Sequence, residues 1–123
     1  MSEQWFQFIE GRTPRSVRVI FRGFWDETAV RCYLAALRQR AAASAGASPI
    51  DRVLLDMQAC AVQSQWVMDS FAGIIGNYAA QIREYGILLP ESVLLKLQIK
   101  RLMLGTSTLF FENEEEALRW LES

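Results

Sequence analysis

Residues 108 to 122, TLFFENEEEALRWLE, constrain the fold of this chain more than any other stretch. A short apolar run (Leu109, Phe110, Phe111) gives way at Asn113 to a segment in which Ala117, Leu118 and Leu121 recur at helical spacing. That is a last strand followed by a last helix. Asn113 is a favoured N-cap, and Glu114, Glu115 and Glu116 fill the first turn, where the positive end of the helix dipole favours carboxylates. The same strand-then-helix alternation recurs upstream, and such repetition specifies an α/β domain.

Residues 4 to 10 (QWFQFIE) and 16 to 25 (SVRVIFRGFW) read as strands separated by a turn at Gly11 and Pro14. In the second, Val17, Val19 and Phe21 point one way and Arg18, Ile20 and Arg22 the other. Asp26 is then an N-cap candidate for a helix whose stripe is Val30, Leu34, Leu37 and Ala41, ending near Gly46. The segment ASAGASP is a loop. Within DRVLLDM, residues 52 to 57 form a short buried strand, and Ser64 caps a long helix predicted to run to Tyr85, with Val67, Phe71, Ile74, Ile75, Tyr78 and Ile82 inward and Gly86 closing it. Residues 87 to 90 form a strand stopped by Pro90.

Residues 92 to 105 (SVLLKLQIKRLMLG) alternate like a strand, but a parallel strand on either side requires a crossover, normally a helix. We therefore read them as a helix between Ser92 and Gly105. The expected architecture is a single α/β domain spanning residues 1 to 123, a five-stranded, mostly parallel sheet with an antiparallel opening strand, flanked by about four helices.

Composition narrows the chemistry. The chain has 123 residues, 51% of them hydrophobic, enough to bury a core without metal or disulfides. It contains no His, which removes imidazole catalysis and the commonest zinc ligand. Cys32 and Cys60 cannot form a CxxC motif and suit a reducing compartment. A net charge of -1 provides no overall basic field for phosphates and argues against nucleic acid as a partner. No stretch approaches the length of a membrane span, so a cytoplasmic protein is expected. No cofactor or metal site is expected, and no nucleophile, base and orienter can be assembled, so the expected function is non-enzymatic.

The strand LLDM (Leu54 to Met57), the capped helix after it and the ending LFFENEEEALRWL resemble the STAS superfamily, and within it the SpoIIAA-like, lipid-carrier-related branch of small bacterial proteins. The resemblance covers nearly the whole chain and implies a SpoIIAA-like fold. Members that antagonise anti-sigma factors carry a phosphorylatable Ser or Thr, commonly after Asp, where this chain has QACAVQSQW; Ser64 stands near that place with Gln63 before it. The SpoIIAA-like branch implies shelter of nonpolar ligands or contact with membranes.

Several residues are candidates for function. Ser64 reads as a phosphoacceptor or as a plain N-cap. Cys60 reads as a thiol activated near a helix N-terminus or as a small buried residue, and Asp56 as a strand-end functional group or as a partner of the following turn. Cys60, Val62, Trp66, Met68 and Phe71 would line an apolar pocket at the strand ends, or are ordinary core. In the helix at 92 to 105, Leu95, Ile99 and Leu102 face the sheet while Val93, Leu97 and Leu104 form a second apolar side beside Lys96, Lys100 and Arg101. This side suits a membrane surface, a protein partner or a homodimer, unless the long helix covers it. Gly73 and Gly76 suggest close approach of another backbone. The preferred reading is a binding module that holds a nonpolar ligand or lipid or docks on a membrane or protein; the alternative is a regulator switched by phosphorylation at Ser64.

Overall fold

A computed structural model of the chain describes residues 5–13, 15–43 and 50–123. Its strands are β1 (Phe6–Glu10), β2 (Ser16–Gly23), β3 (Ile50–Cys60), β4 (Ile82–Leu88) and β5 (Thr108–Phe111). They form one sheet in that order, with β1 antiparallel to β2 and every other neighbouring pair parallel. Helices α1 (Glu27–Ala43), α2 (Gln65–Tyr78) and α3 (Val93–Leu102) are the crossovers that parallel pairing demands, and α4 (Glu114–Glu122) ends the chain.

The two faces are unequally covered. Val17, Val19 and Phe21 of β2, Val53, Leu55 and Met57 of β3, and Tyr85 and Ile87 of β4 join the buried residues of α1, α2 and α3 in the larger core. Leu54 and Leu88 point the other way, onto Ala117 and Leu121 of α4. This is the period-2 alternation of a strand applied to a sheet buried on both sides.

Local capping chemistry matches the sequence. Asp26 accepts from the Ala29 amide at 2.9 Å, Ser64 from Val67 at 3.2 Å, Ser92 from Leu95 at 3.2 Å and Asn113 from Glu116 at 3.0 Å. Residues 93 to 102 are helical, as the crossover argument required, and Gly105 follows at φ +83°, a conformation that favours glycine.

The long helix predicted through Tyr85 is a misreading. α2 stops at Tyr78, one turn of 3-10 helix covers Ala79–Gln81, and Ile82 opens β4 instead of extending the helix core face. The cause is nonlocal. Residues 82 to 88 pair with β3 from Ile50↔Ile82 to Asp56↔Leu88, and a ladder with a distant strand leaves no mark on helical periodicity. β4 thus replaces the predicted strand at 87 to 90. β3 in turn runs past its expected end at Met57, because Arg22 and Gly23 keep pairing with Ala59 and Cys60 beyond an irregularity in β2. Helix α1 is described to Ala43, and Gly46, its expected end, lies outside the described residues. Val30 is buried and Leu34 and Leu37 pack against the core as expected, while Ala41 is exposed and Ala29 and Tyr33, off the predicted stripe, are buried as well.

Gly86 is therefore not a helix cap. It faces α4, where an added β-carbon would lie 2.4 Å from Cζ3 of Trp120. Gly73 and Gly76 on α2 have nothing within 4 Å of that position, so no other described segment approaches them closely. The same residue type thus serves opposite ends. Gly73→Ala and Gly76→Ala should each raise stability by about 0.5–1 kcal/mol through helix propensity. Gly86→Ala should lower it by about 1–3 kcal/mol through overpacking, with urea unfolding as the measurement for all three.

Candidate functional site

At the C-terminal end of the parallel strands, the buried side chain of Gln63 ties three segments together. Its Oε1 accepts from the Trp25 amide at 2.9 Å, and its Nε2 donates to the carbonyls of Gly23 at 2.8 Å and Ala61 at 2.7 Å. Its own backbone N–H and C=O pair with the Gln98 side chain of α3 at 3.1 and 2.8 Å. The corner after β2, the loop before α2 and the middle of α3 are thereby held in one arrangement. Ser64, the next residue, is exposed at the start of α2.

Of the residues expected to share a pocket here, Cys60, Met68 and Phe71 are buried in the larger core with Val62 packed against it, the ordinary-core alternative, while Trp66 is exposed. Burial is the main cause that pushes the Cys60 thiol up to about 11, although Gln63 donates to its sulfur, so it is no activated thiolate. Cys60 does line a depression of about 450 Å³ together with Gln58, Pro90, Ser92, Lys96 and Glu112.

Asp56 is a structural anchor. Its carboxylate accepts from Arg18 at 2.6 Å and from the Gln58 amide at 3.1 Å, and Arg18 also reaches Glu114 at 2.9 Å. Both members of the Arg18–Asp56 pair are largely buried, and the contact joins β2 and β3 to the first turn of α4.

Helix α3 presents its inner side, Leu95 and Ile99, to the core, with Leu102 packed against it. Val93, Leu94, Leu97 and Leu104 are 58 to 78% exposed. Lys96 pairs with Glu112 at 3.4 Å, Lys100 lies 5.8 Å from the centre of the Phe110 ring, and Arg101 is exposed.

An apolar cavity lies at the opposite end of the sheet. A cavity of about 420 Å³ opens between the C-terminal halves of α1 and α2 and the starts of β2, β3 and β4. Aliphatic side chains from the sheet (Val17, Val53, Leu55) and from α2 (Ile74, Ile75) line it, and Arg40, Ala41 and Gln81 stand at its rim. Of the residues expected to line a pocket at the strand ends, Phe71 belongs to it. Two features hide the cavity from the sequence: Tyr85 fits the end of a helix, and Tyr33 lies off the α1 stripe that the periodicity predicts. A tyrosine at a core position was the available signal.

Among solved structures, an uncharacterized protein of the DUF3478 family with a SpoIIAA-like fold, from Shewanella loihica PV-4, superimposes with a TM-score of 0.70, at 14% identity over 94% of this chain and 91% of that one. An anti-sigma factor antagonist from Mycobacterium paratuberculosis gives 0.63, at 12% identity over 96% and 95%. The anti-sigma factor antagonist SpoIIAA in its unphosphorylated form gives 0.62, at 18% identity over 94% of each chain. The chain has the SpoIIAA-like fold. No protein-family model and no curated protein sequence matches it.

As the cap of α2, Ser64 sets a measurable test. Ser64→Ala should cost about 1 kcal/mol, whereas Ser64→Asp should be tolerated because Asp caps as well as Ser. Thermal unfolding of the two variants beside the wild type checks this.

Proposed function

We propose that this chain is a non-enzymatic binding module whose ligand is a nonpolar small molecule held in the cavity between α1, α2 and the sheet. The observation that carries the reading is the cavity itself. At about 420 Å³ it is of the size that ordinary ligand sites occupy, and its walls are overwhelmingly apolar with a few polar groups. A natural core fills its interior to nearly crystalline density, so an empty space of this size costs stability unless something occupies it.

The test is direct. The neutral fluorophore N-phenyl-1-naphthylamine should bind with enhanced, blue-shifted emission, and native mass spectrometry of freshly purified protein should show a retained small-molecule mass. Leu37→Trp, which fills the space from α1, should abolish probe binding while raising or preserving the melting temperature. A wild type that neither binds the probe nor carries a ligand would sink the reading.

A second reading, docking on a protein partner, is favoured by the outward apolar row of α3 and by the likeness in fold to anti-sigma factor antagonists. Ser64 phosphorylation would belong to that reading, since it places charge at an exposed helix start. Leu97→Asp with Leu104→Asp should then leave folding intact and weaken association at least about a hundredfold, because burying each Leu is worth about 1.5–3 kcal/mol. Co-sedimentation of the wild type with anionic vesicles, lost in the double variant, would instead assign the face to a membrane.

A further inference from the structure

The polar groups of the cavity specify more than an apolar ligand. Tyr33 and Tyr85 line it at only 6% and 5% exposure, yet among the described residues neither hydroxyl is a buried atom left without a partner, so both keep an opening. A tyrosine hydroxyl that opens on an apolar cavity offers a donor to whatever enters it. The Tyr33 ring is fixed by edge contacts with Phe6, Phe21 and Trp25, at centroid distances of 5.2, 5.4 and 5.5 Å, so it cannot swing out to solvent.

The groups around Tyr33 set the sign of what is missing. Tyr85, Tyr78 and Arg40 line the same cavity as Tyr33. Arg40 Nη2 donates to the two carboxylate oxygens of Glu10 at 2.6 and 2.9 Å, an exposed pair that keeps the guanidinium at the rim over the Phe8 ring. Three tyrosines and an arginine line a space that is otherwise apolar apart from Gln81. The complement of that set is a hydrogen-bond acceptor bearing negative charge on a hydrocarbon body; an amine or ammonium head would meet Arg40 as a like charge.

We propose that the cavity takes a long-chain monocarboxylic acid, its hydrocarbon against the sheet and its carboxylate received by Tyr33, Tyr85 and Tyr78 beside Arg40. This rests on the reading of the cavity as a nonpolar-ligand site and adds its ligand class. Desolvation pushes the Tyr85 phenol up to about 12 and the Tyr33 phenol higher still, so both remain neutral donors at physiological pH. Hydrogen bonds from neutral donors to a carboxylate are among the stronger ones, and in a water-poor cavity they discriminate the acid from its ester.

Displacement of bound N-phenyl-1-naphthylamine by myristic acid and by methyl myristate separates the two levels of the claim. The acid should displace the probe at about tenfold lower concentration than the ester, the worth of one charge-assisted hydrogen bond. Tyr33→Phe with Tyr85→Phe, which keeps both rings, should remove most of that gap. Tyr85→Phe alone, at a ring outside the aromatic cluster, should narrow it, and serves where the double variant fails to fold. Equal displacement by acid and ester in the wild type overturns the carboxylate while leaving the nonpolar site standing. A gap unchanged in the folded variants overturns the role of the tyrosines. If the probe itself does not bind, both readings fall.

Discussion

The structure depends on β3 being paired on both edges and buried on both faces. Parallel partners on each side, β2 and β4, require a crossover before and after β3, and α1 and α2 are those crossovers. Because successive side chains alternate, Val53, Leu55 and Met57 supply one core and Leu54 the other, while Asp56 is carried to the α4 face, where only a charged partner makes its burial tolerable. Arg18, brought opposite by the β2–β3 register, provides it. Its Nε remains buried without a hydrogen bond among the described residues, which is the kind of cost that such a pair carries.

The two ends of the sheet are built differently. At the C-terminal end the Gln63 amide satisfies backbone groups of the β2–α1 corner and of its own loop, and Gln98 locks α3 to the same place. A fully satisfied buried amide of this kind rigidifies its surroundings. At the N-terminal end the helices diverge over the starts of the strands, and the space between them is left open. The aromatic cluster of Phe6, Phe21, Trp25, Tyr33 and Phe71 spans the distance between the two ends: Trp25 is bonded to Gln63, while Phe21, Tyr33 and Phe71 line the cavity. Stability is concentrated at one end and vacancy at the other.

Likeness in fold to anti-sigma factor antagonists does not carry function by itself, since one fold hosts unrelated activities. The features particular to this chain are its own: a Gln rather than an acid before Ser64, an apolar row along the outside of α3, and tyrosines in the wall of an apolar cavity. It is those side chains, and not the shared architecture, that distinguish a ligand-holding module from a switch.

Local signals made much of the architecture legible. The caps at Asp26, Ser64, Ser92 and Asn113 are decided within three residues of backbone, so sequence alone placed the starts of all four long helices. The alternation of β2 and the need for a crossover between β4 and β5 were equally readable. What the sequence could not decide was where α2 ends, because Ile82 fits a helical stripe and a strand alike until β3 lies beside it. Gly86 looked like a cap for the same reason; only the Trp120 ring stacked over it explains the missing side chain. The cavity belongs wholly to tertiary structure, since its walls come from β1, β2, β3, β4, α1, α2 and α3, and a void is a property of how those elements fail to meet. No single segment encodes it.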